Sequence, residues 1–279
     1  MTENTTRSPW QDVQEALEPG TLYVIATPIG NLADITLRAL YFLAHVDLIA
    51  AEDTRHTRLL LERHGIHTPM RAYHEHNAQQ VLPSLLDHLA NGSTLGLVSD
   101  AGTPGVSDPG YRLIHAAIEQ GYPVIPLPGA SAALAALVPS GLPMDRFTFE
   151  GFLPKKKGRK TRLDELADET RTMIFYESPQ RVGKTLQELA QVFGGERIAV
   201  MARELTKSYE EFVRGTLGEL SEKYRDTTVK GEIALVVEGR GKRIKRLEKG
   251  VGEEDNSDVR DPMKKYHFPE MPTDWKKRG

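Results

Sequence analysis

Between residues 22 and 138 the chain switches repeatedly from a short apolar run to an amphipathic stretch of helical length, and few architectures accept that rhythm. The runs at 22–26, 47–51, 70–73, 94–98 and 122–127 read as strands, several too apolar for a sheet with one wet face. The stretches at 34–43, 55–64, 78–91, 108–120 and 131–138 read as helices. Strict alternation of this kind predicts α/β architecture, a parallel doubly wound sheet covered by helices on both faces. Residues 139–143 interrupt the pattern with Pro and Gly and predict a domain boundary. A second α/β set follows, with strands at 147–152, 172–176, 198–202, 211–214 and 232–237 and helices near 160–168, 179–193 and 217–224. Its short connections and late clustering of strands predict a mixed sheet. The expected organisation is a tail over 1–19, domains over 20–140 and 141–240, and a charged tail over 241–279. Neither tail shows apolar periodicity, so both are expected to be mostly disordered.

The chain of 279 residues contains no cysteine, which excludes disulfides, thiolate metal sites, iron–sulfur clusters and cysteine nucleophiles together. A formal charge of -3 gives no global signature of a nucleic-acid binder, so any such affinity must come from local basic patches. No apolar run approaches the roughly 18 residues of a membrane span; the longest lies around 130–138. The first residues are polar and acidic, without a signal-peptide core, and a cytoplasmic protein with no membrane association is expected.

Four loops leave the carboxyl ends of predicted strands: Thr27-Pro28-Ile29-Gly30-Asn31-Leu32, Ser99-Asp100-Ala101-Gly102-Thr103-Pro104-Gly105, Pro128-Gly129-Ala130-Ser131 and Glu177-Ser178-Pro179. Ligands of open α/β sheets bind outside those strand ends, where glycines let the backbone come close. The acid at Asp100 can accept a ligand's hydrogen bond or cap a turn. Two nucleotide-binding readings fail. No G-x-G-x-x-G follows the first strand, and Gly183-Lys184-Thr185 lacks the upstream glycine of a P-loop, which is Ser178. Ser178 is instead expected as an N-cap, Pro179 as the first helical residue and Lys184 on the helix surface. Lys155, Lys156, Lys157, Arg159, Lys160 and Arg162 place six cations in eight residues, a loop that is either solvated or able to hold a phosphate backbone. Lys242, Arg243, Lys245 and Arg246 form a smaller basic group.

The run from Ser99 to Gly110, SDAGTPGVSDPG, resembles the signature of the ribosomal RNA small subunit methyltransferase I family, within the tetrapyrrole methylase superfamily. The resemblance extends to 26–31, 51–55, 73–77, 128–132, 175–181 and 202–207, and so spans about residues 20–240. It implies two α/β domains with S-adenosylmethionine in the cleft between them, usually in a homodimer. It also implies 2′-O-methylation of a cytidine ribose in the decoding region of 16S rRNA, with that RNA or the small ribosomal subunit as partner. By position, Pro28, Gly30, Asp100, Gly102, Thr103, Ser131 and Ala132 are expected around the cofactor from the first domain. Tyr176, Met201 and Ala202 are expected from the second. With no cysteine, radical and thiolate-adduct methylation are excluded, leaving displacement at the sulfonium methyl by oxygen or nitrogen.

A 2′-hydroxyl is a weak nucleophile and needs both alignment and removal of its proton. Glu52, Asp53, Arg55, His74, His76, Glu204 and Lys207 are the candidates, and Asp53 and Lys207 are taken for proton handling. Asp53-Thr54 also has an ordinary role as a helix cap, and Lys207 as a solvated charge. The His74/His76 pair lacks further recognisable ligands, so no metal is expected. RNA contact is expected from Arg55, His74, Lys155, Lys156, Lys157, Arg159 and Lys160. Two other readings remain: methylation of a small tetrapyrrole-like molecule, and a non-catalytic RNA-binding assembly factor.

Overall fold

The computed structural model describes residues 9–241, which divide into two compact units at Ala132/Ala133. The basic group from Lys242 to Arg246 and the rest of the charged C-terminal tail lie outside the described residues.

In the first unit β1 (Leu22–Ile25), β2 (Leu48–Ala51), β3 (Met70–Ala72), β4 (Leu95–Val98) and β5 (Val124–Leu127) form one sheet in the order β3-β2-β4-β1-β5. Every pairing in it is parallel, as the alternation predicts. Successive side chains of a strand point to opposite faces, and both faces here are dry. Tyr23, Ile25 and Ile49 pack against Phe42 and Leu43 of α1 (Leu37–His45) and Leu60 and Leu61 of α2 (Thr54–Arg63). Leu22, Val24, Leu95 and Leu97 pack against Leu85 and Leu89 of α3 (Ala78–Ala90) and Leu113 and Ala117 of α4 (Gly110–Glu119). Each such burial contributes about 1.5–3 kcal/mol, which is what holds a two-faced apolar sheet together. The helix expected from residue 34 starts at Leu37, because the Thr36 hydroxyl accepts the Ala39 N–H at 3.0 Å and fixes the start there.

The expectation of a structureless 1–19 does not hold for its later part. Pro9–Asp12 forms a 3-10 turn, and Trp10 is buried in the core beneath α1. Arg38 grips Glu15 with two hydrogen bonds of 2.7 and 2.6 Å, and the Tyr41 hydroxyl donates to the Glu15 carbonyl at 2.8 Å. A sequence without periodicity is held here by one aromatic anchor and a two-pronged ion pair.

The second unit holds β6 (Phe147–Phe152), β7 (Thr172–Glu177), β8 (Ile198–Arg203), β9 (Glu211–Thr216) and β10 (Ile233–Val237), ordered β6-β7-β10-β8-β9. β6 and β7 are parallel and the other pairs antiparallel, so the sheet is mixed, as expected. Its core joins Met173, Phe175, Met201 and Leu235 to Leu186, Leu189 and Phe193 of α7 (Val182–Phe193) and to Leu217 and Leu220 of α8 (Leu217–Lys223). The boundary expected near 139–143 falls earlier. α5 (Ala132–Leu137) runs directly into a 3-10 turn, Val138–Ser140, whose early position tolerates Pro139 because no N–H is needed there. Ser178 also differs from expectation. Its carbonyl accepts from Arg181 and Val182, at 3.0 and 3.1 Å, so α7 begins only at Val182 and the Ser178 side chain caps nothing.

Candidate active site

Because all five strands of the first unit run the same way, their outgoing loops gather along one edge. The β4 loop leads to α4 on one face, whereas the loops of its neighbours β1 and β2 lead to α1 and α2 on the other. Such divergence opens a crevice outside the strand ends. Three loops there are stitched together. Thr27 and Gly102 exchange backbone hydrogen bonds of 2.9 and 3.1 Å, and the Thr27 hydroxyl donates to the Ser99 carbonyl at 3.1 Å. Gly102 sits at φ +79°, a conformation that L side chains rarely adopt. The Thr103 hydroxyl donates to the Ala130 carbonyl at 3.4 Å, tying the β4 loop to the β5 loop. A Cβ on Gly129 would lie 2.9 Å from the Ala26 side chain, so only glycine permits the β5 loop to close on the β1 loop. Asp108 accepts from the Gly105 and Gly110 N–H groups, both at 2.8 Å, and braces the far end.

The first-unit residues expected around a cofactor belong to this edge. Pro28 is buried, Gly30 and Thr103 are exposed, and Asp100, Ser131 and Ala132 are half-buried. Asp100 and Glu52 hold each other's loops: the Asp53 N–H donates to Asp100 Oδ1 at 3.0 Å, and the Asp100 N–H donates to Glu52 Oε2 at 3.3 Å. Asp100 Oδ2 has no partner among the described residues and is available to a ligand hydroxyl or ammonium. A close backbone rim with one spare carboxylate oxygen fits the polar groups of a nucleoside-and-amino-acid cofactor.

Glu52, unlike its neighbour, is pushed above the usual carboxylate range, first by burial and then by the negative charges of Asp100 and Asp108; the Asp100 N–H and His74 act the other way. His74 leaves β3 next door, with its N–H donating to Asn77 Oδ1 at 2.8 Å and its Nδ1 buried without a hydrogen-bond partner among the described residues. Its ring lies 6.1 Å from that of exposed His76.

Both residues taken for proton handling are poorly suited to it. Asp53 caps α2, and its carboxylate takes hydrogen bonds from the Arg55 side chain at 3.0 and 2.6 Å and from the Arg55 N–H at 2.8 Å. Those bonds hold it far below the usual range, leaving a weak base. The same pair engages Arg55, which reaches RNA only by exchanging its partner. Lys207 belongs to the other unit. Burial alone would lower its pKa, but Glu204 and Glu232, each at 2.9 Å, raise it and keep the ammonium protonated. Glu204 and Thr206 around it adopt left-handed φ of 52° and 65°, a strained turn after β8.

In the second unit Tyr176, one residue before the end of β7, packs against Phe149 and Phe152, with ring centroids 4.9 and 5.7 Å away. Met201 is corrected as a side-chain contact, since it is fully enclosed in the core on the α7 side. Ala202 points to the opposite face and is also buried. The basic cluster divides. Lys155, Lys156, Lys157 and Lys160 are exposed, whereas Arg159, at the start of α6 (Arg159–Leu166), is only 8% exposed and fully engaged inside the fold. Arg159 is therefore withdrawn as an RNA contact. Arg162 is paired with Glu150 and Glu165. Sequence reasoning missed the interior role of Thr185 and Glu177, which bind to each other at 2.6 Å deep in this unit. Only the mismatch of a Thr and a Glu with their apolar surroundings could have hinted at it.

Residues 21–221 match the family described as Tetrapyrrole (Corrin/Porphyrin) Methylases. The chain is 50% identical to the ribosomal RNA small subunit methyltransferase I of Halalkalibacterium halodurans, over 84% of this chain and 81% of the relative. It is 54% identical to the protein of the same name in Mesorhizobium japonicum, over 79% and 76%. Among solved structures, the uroporphyrin-III C-methyltransferase of Thermus thermophilus complexed with S-adenyl homocysteine aligns with a TM-score of 0.56 at 18% identity, covering 80% of this chain and 99% of that one. No helix among the described residues is long and apolar enough to cross a membrane.

Proposed function

Since the chain belongs to the ribosomal RNA small subunit methyltransferase I family of tetrapyrrole methylases, we propose that it methylates the 2′-hydroxyl of a cytidine ribose in the decoding region of 16S rRNA. The protein is an S-adenosylmethionine-dependent methyltransferase. The observation that carries the RNA reading is the split of the basic cluster. Its arginines are committed to carboxylates, Arg159 in the interior and Arg162 nearer the surface, while Lys155, Lys156 and Lys157 on the loop and Lys160 on the first turn of α6 are left exposed, which suits a flexible grip on a phosphate backbone. A small macrocycle needs no such loop.

The cofactor supplies an electrophilic methyl group on a sulfonium centre. Pro28, Gly30, Asp100, Gly102, Thr103, Ser131 and Ala132 of the first unit are the residues assigned to hold it. Asp100 Oδ2 offers the charged acceptor and the glycine loops the close backbone. Glu52 is assigned as acceptor of the 2′-hydroxyl proton, because burial and like charge make it more basic than an ordinary carboxylate. His74, beside it, can orient the ribose or take the proton onward.

The reading includes a cytoplasmic homodimer acting on 16S rRNA or the small subunit. Exposed Leu134, Val138, Met144 and Phe147 give the second unit apolar surface for such an interface, and sedimentation measures it directly. The deciding experiment supplies radiolabelled cofactor with small subunits, naked 16S rRNA or a tetrapyrrole acceptor, then maps 2′-O-methyl groups. Label on one decoding-region cytidine is expected. Label only on the tetrapyrrole, or on nothing despite cofactor binding, would replace this reading with one of the two others.

A further inference from the structure

Arg159 belongs to the cation-rich segment that the sequence offers to RNA, and it faces the wrong way for that role. Its Nε donates to Glu188 at 2.7 Å, its Nη1 to the Pro154 carbonyl at 3.1 Å and its Nη2 to the Thr185 hydroxyl at 2.7 Å. The Thr185 hydroxyl in turn donates to Glu177 Oε2 at 2.6 Å. Glu177 Oε1 accepts from the Ser178 N–H at 2.7 Å and from Arg181 at 2.6 Å. Arg159, Thr185 and Glu177 are 8%, 0% and 3% exposed. A polar chain thus runs through the interior of the second unit, from the base of the lysine loop to the end of β7, next to Tyr176.

Buried polar groups that are fully connected polarise one another and fix geometry more than they add stability. The direction of donation is uniform here, guanidinium to hydroxyl to carboxylate. Lys155, Lys156 and Lys157 hang between two points this chain fixes, the Pro154 carbonyl and Arg159 itself. Lys160 follows one residue later on the same helical turn.

We propose that Arg159, Thr185 and Glu177 are positioning residues for the RNA substrate: a buried relay that sets the lysine loop against the β7 end while touching no nucleotide. The proposal rests on the reading that this loop contacts RNA. It goes further by separating the residues that grip from those that aim them.

Thr185→Val tests it, because the change keeps shape, removes the central hydroxyl and lies where RNA cannot reach. At saturating cofactor, KM for RNA should rise about three- to tenfold, the scale of one lost hydrogen bond, with kcat kept. Hydrogen exchange of the 155–160 amides should quicken. Thr172→Val removes another buried hydroxyl of the same unit, one that donates to the Pro143 carbonyl at 2.5 Å, and serves as the stability control. Glu188→Gln, at a partly exposed position, gives a second reading if Thr185→Val does not fold. A parent-like KM in Thr185→Val or, failing that, in Glu188→Gln would overturn the relay, as would an equal rise in Thr172→Val. A variant with Lys155, Lys156, Lys157 and Lys160 all changed to Ala separates the two levels. If it keeps the parent KM for RNA, the loop itself is not the grip and the relay falls with it. If it loses RNA while Thr185→Val does not, only the relay fails.

Discussion

Glu52 and Asp53 are adjacent in sequence and opposite in electrostatics. Asp53 is outside the core, satisfied by Arg55 and held ionised far into acid; Glu52 is half-buried and loses more solvation than its single backbone donor returns. A base must be ionised at working pH yet want the proton back, which Glu52 meets and Asp53 does not. The sign of the pH effect follows. With a raised pKa, the ionised fraction of Glu52 grows as pH climbs past the ordinary carboxylate value, so kcat at saturating RNA should rise through that window. The same group makes its stability contribution below the ordinary value and loses it as pH passes the folded value. Glu52→Gln should remove the rising limb and lower kcat by about 10²–10⁴-fold, while Asp53→Asn changes it little. A Glu52→Gln enzyme with parent kcat and parent pH profile would exclude Glu52 as the base. Asp100→Ala should weaken S-adenosylmethionine by about 1–3 kcal/mol in calorimetry, the cost of losing a charged hydrogen-bond partner. Unchanged affinity in a folded variant would remove Asp100 from the cofactor site.

At the scale of elements, sequence pattern and structure part ways for physical reasons. The parallel sheet and its helices were legible because apolar runs buried on both faces leave a pattern that nothing else writes. The loop cluster was legible because glycine and proline mark strand ends. Helix starts slipped where individual hydrogen bonds decided them: the Thr36 hydroxyl displaced α1 and the backbone turn closed on the Ser178 carbonyl displaced α7. Arg159 was misread because a cation's burial depends on partners 26 and 29 residues away, Thr185 and Glu188, which no local window contains. Trp10 and Glu15 were misread for the same reason, since their anchor is α1. A local signal can be tested at α8, where Thr216 and Glu219 form a reciprocal capping box with side-chain-to-backbone bonds of 3.2 and 2.8 Å. Thr216→Ala should cost about 1 kcal/mol of unfolding free energy in denaturant titration and leave cofactor affinity unaltered. A loss well above that would mean the box does more than cap.

For the whole molecule, charge is the constraint that RNA binding must overcome. The chain carries 36 Lys and Arg against 39 Asp and Glu, so its overall field does not favour a polyanion. Binding must rest on a local concentration of unpaired cations, and Lys155, Lys156, Lys157 and Lys160 are the four exposed ones left after Arg159 and Arg162 are committed to carboxylates. Each lysine that neutralises a phosphate releases counterion, so log affinity should fall with log salt by about 0.7 per contact on single-stranded RNA. Changing all four to Ala should therefore flatten the salt slope by up to about 3, with affinity at low salt falling most. The loss should be nearly the same for unrelated RNA sequences, because phosphate contacts position the substrate without reading its bases. Cofactor affinity should not change, and a tetrapyrrole acceptor would show no salt-linked loss of this kind. Equal slopes for parent and variant across a salt series would assign the loop to solvent and move the search for the RNA grip to Arg55 and His74 on the first unit.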